Sequence, residues 1–145
     1  MNYHKILMAI DDGPAAEHVA VNGFNLAKQL NADIALVSVV DTALFMTTDG
    51  FSPKEMEEIM RNDFKKSLKM LIDKVFKEYK VRTFIEEGKP YEMILKVAGE
   101  WKADIIVMGT YGRTGLPHVL MGSVAEKVIR HSTKPVFIIP AKKEE

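Results

Sequence analysis

The chain has 145 residues, and its 20 basic residues balance 20 acidic ones, so that its formal net charge is zero. A composition of 47% hydrophobic and 28% charged residues excludes disorder as the default state, and the charge balance argues against a dedicated nucleic-acid binder. Because no cysteine is present, disulfide frameworks, thiolate zinc sites and cysteine nucleophiles are excluded. The length predicts one domain over residues 1–145.

The first apolar segment, Ile6–Ile10, follows a short polar N-terminus and precedes two acids, Asp11 and Asp12. It is far shorter than the roughly 20 apolar residues that span a bilayer. It is also too short for the core of a signal peptide. We therefore interpret it as a buried strand and expect a cytoplasmic protein that has no contact with a membrane.

Four further apolar runs follow, and segments of helical periodicity separate them. The runs are rich in β-branched residues and nearly continuous, which is typical of parallel strands buried on both faces. They are Ile34–Val40, Val81–Ile85, Ile105–Met108 and Val136–Ile139. This alternation of strands and helices predicts βαβ units and an α/β layer fold.

The first predicted helix runs from about Ala15 to Leu30. Gly23 lies on its apolar side, where it would permit close contact with the sheet, and Asn31 is the expected left-handed cap. The inward stripe is predicted to consist of Ala16, Val19, Ala20, Phe24, Ala27 and Leu30.

The second predicted helix begins after Ser52, which forms a capping box with Glu55 and is followed by Pro53 at the first helical position. Its apolar stripe is interpreted as a surface that packs on the sheet. The stripe consists of Met56, Ile59, Met60, Phe64, Leu68, Leu71, Ile72, Val75, Phe76 and Tyr79.

The third predicted helix begins near Pro90 and the fourth at Ser123, where the spacing to Glu126 predicts another capping box. Inward residues are predicted to be Ile94, Leu95, Ala98 and Trp101 in the third helix, and Val124, Ala125, Val128 and Ile129 in the fourth. The links over residues 41–51 and 110–121 are long against a median of roughly 4–6 residues. Both follow the carboxyl end of a strand, where open α/β sheets bind ligands.

A glycine-rich segment connects the fourth strand to the fourth helix. Gly109, Gly112 and Gly115 follow the strand, and the helix opens at Gly122 and Ser123. Glycines let backbone N–H groups approach a phosphate, and the first N–H groups of a helix attract anions. Spacing alone leaves two interpretations open, a phosphate site or a loop that uses glycine only for its turns.

The pattern Gly109-x2-Gly112-x9-Gly122-Ser123 resembles the ATP-binding signature of the universal stress proteins. The flanking segments Ala103–Met108, Val124–Ser132 and Pro135–Pro140 are similar to that family too, and the resemblance covers essentially the whole chain. It implies an open five-stranded parallel sheet of order 3-2-1-4-5 with helices on both faces, a Rossmann-like arrangement. It also implies a nucleotide at the switch point and a homodimer formed through Val136–Ile139.

The resemblance also implies a nucleotide-binding set. The implied residues are Ala9, Ile10, Asp11, Val39, Met108, Gly109, Gly112, Gly122, Ser123 and Val124. Asp11 would accept hydrogen bonds from ribose hydroxyls or help to hold Mg²⁺, and the ligand would be ATP, ADP or AMP. Arg113 and His118 lie in the glycine-rich loop near the expected phosphates and are not assigned to the set.

One departure from the family pattern affects the site. The family often has Gly-Ser after the first aspartate, whereas this chain has Asp12-Gly13-Pro14. A second carboxylate near a triphosphate repels it unless a cation intervenes. The acids Asp11 and Asp12 also fit a response-regulator receiver, but Glu86-Glu87-Gly88 follows the third strand, where a receiver has its phospho-accepting aspartate.

Other nucleotide and catalytic motifs are absent from the sequence. No Gly-Lys-Ser/Thr occurs, the first turn has no G-x-G-x-x-G, and the histidines lack zinc-ligand spacing. The absence of these motifs predicts no catalytic residues. The resemblance implies a cytoplasmic ATP-binding stress-response or regulatory module whose protein partner is not identified. Two alternatives stay open: a slow Mg²⁺-dependent ATPase or phosphotransferase that uses Asp11 and Asp12, and a structural dimer whose pocket is vestigial.

Overall fold

Five parallel strands form the centre of the computed structural model, which describes residues 2–43, 50–110 and 121–141. They are β1 (Lys5–Ala9), β2 (Asp33–Asp41), β3 (Val81–Gly88), β4 (Ile105–Gly109) and β5 (Val136–Ile139). The order across the sheet is β3-β2-β1-β4-β5, and each neighbouring pair is parallel. The α/β fold class that the alternation of strands and helices predicted and the strand order that the resemblance implied are thereby confirmed.

Helices cover both faces of this sheet. They are α1 (Ala16–Leu30), α2 (Pro53–Leu71, continued by a π-helical turn over Ile72–Phe76), α3 (Pro90–Trp101) and α4 (Ser123–His131). One face of the sheet packs on α1 and α2, and the opposite face packs on α3 and α4. The central strands are therefore buried on both sides, as their continuous apolar runs predicted.

The predicted features of α1 are confirmed except for the inward placement of Leu30. Asn31 has a left-handed backbone with φ of 52°, and its N–H caps the helix. Gly23 packs on β1 and is buried. Leu30, predicted to face inward, is instead 36% exposed, because the last residue of the helix lies at the margin of the packed stripe.

The start of α2 has the predicted cap, since the Ser52 hydroxyl accepts a hydrogen bond from the Glu55 N–H at 3.1 Å. Phe64 and Leu68 are buried on the sheet. The prediction that Ile59 faces inward is wrong, because it is 41% exposed. Asp63, one helical turn after Ile59 on the same side of α2, is also exposed. Phe64, one turn after Met60, is buried, so the inward face of the helix passes through Met60 and not through Ile59.

The beginning of α4 differs from the prediction. Gly122 is the N-cap, with an extended backbone at φ −73° and ψ 163°, and no side chain of the described residues caps the helix. Ser123 is already the first helical residue, so its hydroxyl is not placed to accept from the Glu126 N–H, and the predicted capping box is wrong. Ile129 is also misassigned, because it is 43% exposed on the margin of the apolar stripe.

Candidate functional site

A pocket of about 300 Å³ lies at the carboxyl ends of β1, β2 and β4. From β1 the sheet continues through β2 and β3 on one side and through β4 and β5 on the other. The pocket therefore lies at the topological switch point, where the direction of strand addition reverses. The predicted site residues that line it are Ala9, Ile10, Asp11, Val39, Met108, Gly109, Gly122, Ser123 and Val124. The remaining one, Gly112, lies outside the described residues, as do Arg113 and His118.

Several lining residues escaped the sequence interpretation. Asp41 ends β2 and pairs with Gly88 of β3, and its place at the carboxyl end of a strand was a usable signal. Phe64 from α2, together with Pro90 and Ile94 from α3, closes the pocket from two helices. Their contribution depends on how those helices pack across the sheet, which no local motif encodes. Val37 and Ala125 complete the described apolar wall.

Carboxylates dominate the charge of the described pocket wall. Asp11, Asp12 and Asp41 line it, whereas no lysine, arginine or histidine of the described part of the chain does. The Asp11 carboxylate accepts a hydrogen bond from the Gly13 N–H at 2.8 Å, which fixes the turn after β1. An anionic ligand here therefore depends on backbone donors or on an accompanying cation.

Metal binding has limited support from the described side chains. Nowhere in residues 2–43, 50–110 and 121–141 do three or more acidic or histidine side chains cluster closely enough to hold a metal ion. Asp11 and Asp12 still supply hard oxygen ligands next to the pocket. Mg²⁺ keeps several waters and is commonly bound by one or two carboxylates together with substrate phosphates. Such a shared site fits this wall better than a closed protein cage.

The backbone of β2 extends one step farther than that of β1. The Asp33 N–H donates to the His4 carbonyl, and the Ile10 N–H donates to the Val37 carbonyl. Alternate residues of β2 therefore face β1, and Val39 is the next in that series. The last of these bonds in the described residues is the one from the Ile10 N–H to the Val37 carbonyl, so the N–H and C=O of Val39 lie beyond it, where Val39 lines the pocket.

The N-terminus of α4 forms the opposite wall. The Gly122 N–H donates to the Thr110 carbonyl at 2.5 Å, and the Glu126 N–H donates to the Gly122 carbonyl at 3.1 Å. The N–H groups of the first helical turn have no intrahelical acceptor, so the helix end carries partial positive charge. Because Ser123 and Val124 line the pocket, this charge acts on whatever the pocket binds.

Comparison with known proteins identifies the family. A model of the universal stress protein family matches residues 2–140. The chain belongs to the universal stress protein family. The same membership was implied by the glycine pattern from Gly109 to Ser123, so the resemblance is confirmed.

Two relatives from Methanocaldococcus jannaschii illustrate how far the similarity extends. Universal stress protein MJ0531 is 34% identical over 99% of this chain and 85% of its own length. Universal stress protein MJ0577 is 33% identical over 97% of this chain and 96% of its own length. The solved structure of MJ0577 superimposes with a TM-score of 0.84 at 28% identity, covering 99% of this chain and all of that one.

A universal stress protein from Archaeoglobus fulgidus, solved in complex with dAMP, shares the fold. It has a TM-score of 0.61 at 22% identity, with 96% of this chain and 99% of that chain covered. In the described residues of the 145-residue chain itself, no helix is both long enough and apolar enough to cross a membrane.

Proposed function

We propose that this universal stress protein binds an adenine nucleotide in the pocket and acts as a cytoplasmic regulatory module that binds its ligand without rapid turnover. One observation carries the proposal: a single pocket is lined both by the free strand edge at Val39 and by the N-terminus of α4. The first is suited to a base and the second to phosphates. The dAMP bound by the Archaeoglobus fulgidus protein supports the same ligand class.

The strand edge favours adenine over other bases. A peptide unit offers one donor and one acceptor, and Val39 presents both on the side where β1 has ended. Adenine carries an amino donor where guanine carries a carbonyl acceptor. The Val39 carbonyl would accept from that amino group, and its N–H would donate to the neighbouring ring nitrogen. A base with a carbonyl at that position would place its oxygen against the Val39 carbonyl oxygen. Two acceptors would then face each other, and the base would be rejected.

The phosphates are assigned to the N-terminus of α4. Backbone N–H groups and the helix dipole stabilise an anion there without any basic side chain. Gly122 has a φ that every residue adopts, so its use in the proposed site is to admit the ligand and not to relieve backbone strain. The carboxylates of Asp11 and Asp12 would contact a triphosphate through Mg²⁺, which is why the preferred ligand is either the Mg²⁺ complex of ATP or a nucleotide with fewer phosphates.

Calorimetric titration of the purified protein tests the proposal. ATP, ADP and AMP are titrated with and without Mg²⁺, and GTP serves as the control. We expect saturable binding of at least one adenine nucleotide and weaker binding of GTP. If no adenine nucleotide binds, while circular dichroism shows a folded protein, the nucleotide proposal is wrong and the vestigial-pocket alternative stands.

A slow Mg²⁺-dependent ATPase or phosphotransferase is the second candidate, and the pair Asp11 and Asp12 on the pocket wall favours it. Phosphoryl transfer needs an oriented nucleophile and charge stabilisation at the leaving oxygen. Steady-state phosphate release at saturating ATP separates the two. We expect ATP to remain largely intact over many minutes. Multiple turnovers per second that disappear in Asp11→Asn would replace the binding module with an enzyme.

We further propose a homodimer through β5. This strand lies at one edge of the sheet and has no charged residue, whereas β3 at the opposite edge carries Arg82, Glu86 and Glu87. An uncharged open edge is prone to pair with another strand. Phe137 on β5 is 43% exposed, which gives such a pair an apolar contact.

A further inference from the structure

Ser38 is the exception to an apolar core. Within residues 2–43, 50–110 and 121–141 it is the one buried residue that is polar or charged, at 1% exposed. Its neighbours along β2 on the same face, Leu36 and Val40, are fully buried. A hydroxyl in such surroundings is unfavourable unless it makes a hydrogen bond, so the identity of its partner indicates what the residue does.

The partner is the end of β1. The Ser38 hydroxyl donates to the Ile10 carbonyl, with 2.6 Å between the two oxygens. The Ile10 N–H donates in turn to the Val37 carbonyl at 2.9 Å. Both backbone groups of Ile10 are thus held by β2, one by a backbone carbonyl and the other by a side chain, at the point where β1 turns away toward Asp11.

This arrangement changes the hydrogen bonding of Val39. In a regular parallel ladder, the Ile10 carbonyl would accept from the Val39 N–H, which is the next group of β2 that faces β1. The described residues contain no such bond, and the Ser38 hydroxyl donates to that carbonyl instead. The Val39 N–H thereby stays at the pocket wall.

We infer that Ser38 is a positioning residue that holds the Ile10 carbonyl away from Val39 and so keeps the Val39 backbone available to the base of the bound nucleotide. This inference rests on the proposed adenine-nucleotide function and assigns the origin of base selectivity within it. Ser38 itself does not line the pocket. Ile10 and Val39 do line the pocket, and the effect of Ser38 on the ligand passes through them.

The substitution Ser38→Ala removes the donor and leaves the Ile10 carbonyl buried without one. Since that state is unfavourable, the carbonyl recruits the Val39 N–H, and the β1–β2 ladder grows by one bond. The ligand then loses a donor at its base. We expect the affinity for AMP to fall about tenfold, the effect of roughly one hydrogen bond, while the affinity for IMP changes less.

The experiment compares four proteins by calorimetry with AMP and IMP, which differ at the group that the Val39 carbonyl faces. They are the wild type, Ser38→Ala, Ser38→Thr and Val40→Ala. Ser38→Thr retains the hydroxyl and should restore the preference for AMP. Val40→Ala truncates the next inward residue of the same strand but keeps the Ser38–Ile10 bond, so it should weaken the fold without changing the AMP-to-IMP ratio.

Amide hydrogen exchange provides a readout that does not depend on the variant being able to bind. In the free wild type, the Val39 amide should exchange much faster than the Val37 amide, and AMP should protect it. In Ser38→Ala the Val39 amide should become protected without ligand. A Val39 amide as protected as that of Val37 in the free wild type overturns the inference, even if Ser38→Ala does not fold.

The failure of this inference is distinguishable from the failure of the proposed function. A wild type that binds no adenine nucleotide contradicts the function itself. A wild type that prefers AMP, with an unchanged AMP-to-IMP ratio in folded Ser38→Ala, leaves the function intact and removes the role of Ser38. An equal fall of the ratio in Ser38→Ala and Val40→Ala would show that Ser38 acts only by stabilising the fold.

Discussion

Gly23 of α1 packs directly on Met8 of β1, so closely that a Cβ at Gly23 would lie 2.7 Å from the Met8 sulfur. Met8 is fully buried, so the end of its side chain would have to repack among its neighbours to admit that Cβ. The absence of a side chain at Gly23 therefore allows α1 to lie directly against Met8.

Gly23→Ala should lower the free energy of unfolding by about 1–2 kcal/mol, because overpacking outweighs the gain in helix propensity. Gly99 in α3 is the matched control, since a Cβ there meets nothing within 4 Å. Gly99→Ala should raise the same free energy by about 0.5–1 kcal/mol. Urea denaturation measures both. Equal stabilisation by the two substitutions would contradict the tight contact.

Asp12→Asn should raise the affinity for ATP in the absence of Mg²⁺ about fivefold, because it removes one carboxylate from the pocket wall that opposes the phosphates. With Mg²⁺ present, the gain should shrink or reverse. Asp33→Asn is the control, since Asp33 is exposed at the opposite end of β2. Calorimetry with and without Mg²⁺ checks this. An unchanged affinity for metal-free ATP would show that Asp12 does not act on the phosphates.

Ser123→Ala should weaken ATP binding by about one decade, through the loss of a hydroxyl at the proposed phosphate site. The melting temperature of the free protein should stay nearly unchanged, because Ser123 does not cap α4. Ser52→Ala provides the contrast: it removes a true cap from α2 and should cost about 1 kcal/mol of stability without affecting ATP. A large loss of stability in free Ser123→Ala would indicate a capping role after all.

Phe137→Lys should shift the protein from dimer toward monomer, because it places a charge on the exposed uncharged edge strand β5. Met70→Lys is the control, since Met70 is 72% exposed and lies on α2, which packs on β2 and β3 at the opposite side of the sheet from β5. Sedimentation velocity at several concentrations measures the assembly state. A fully dimeric Phe137→Lys would assign the interface to another surface.

Asp104 should make stability depend on pH. Backbone N–H groups of His4 and Lys5 donate to its carboxylate at 2.8 and 2.9 Å, and these bonds hold its pKa below the usual value of 3.8. The folded state thus favours the ionised form. The stabilisation is present above pH 3.8 and is lost as the pH falls through the lowered pKa.

The test compares the wild type with Asp104→Asn by urea denaturation between pH 2 and pH 7. The wild type should be more stable at neutral pH by about 1 kcal/mol, a small value because the carboxylate is partly exposed to solvent. The difference should vanish at the acidic end. A difference that is constant over the whole range would mean that ionisation of Asp104 does not contribute.

Strand positions were the part of the fold most accessible from the sequence. The continuous apolar runs of β1, β2 and β4 give their bounds to within one or two residues, because both faces of each strand are buried. Helical stripes were less exact. Periodicity gives the direction of the buried face but not its width, and Ile59 and Ile129 lie on margins that the sheet does not cover.

The residues of the candidate site also differ in how far the sequence could predict them. The glycine–serine junction was predictable from a local pattern, and the rule that ligands bind at carboxyl ends of parallel strands gave the edge of the sheet. The individual residues at the ends of β1 and β2 came from the family resemblance. Phe64 and Ile94 were not predictable, because they reach the pocket from helices that pack on opposite faces. The role inferred for Ser38 also needed coordinates, since it depends on one hydrogen bond to a residue 28 positions away.

The hydrogen bond between the Thr110 carbonyl and the Gly122 N–H has a consequence for how this chain tolerates change. It fastens the two ends of the intervening segment to each other beside the pocket. Because both partners are backbone groups, no side-chain substitution other than proline removes either of them. The start of α4 is therefore held next to the end of β4 by the main chain itself, whatever side chains line the pocket.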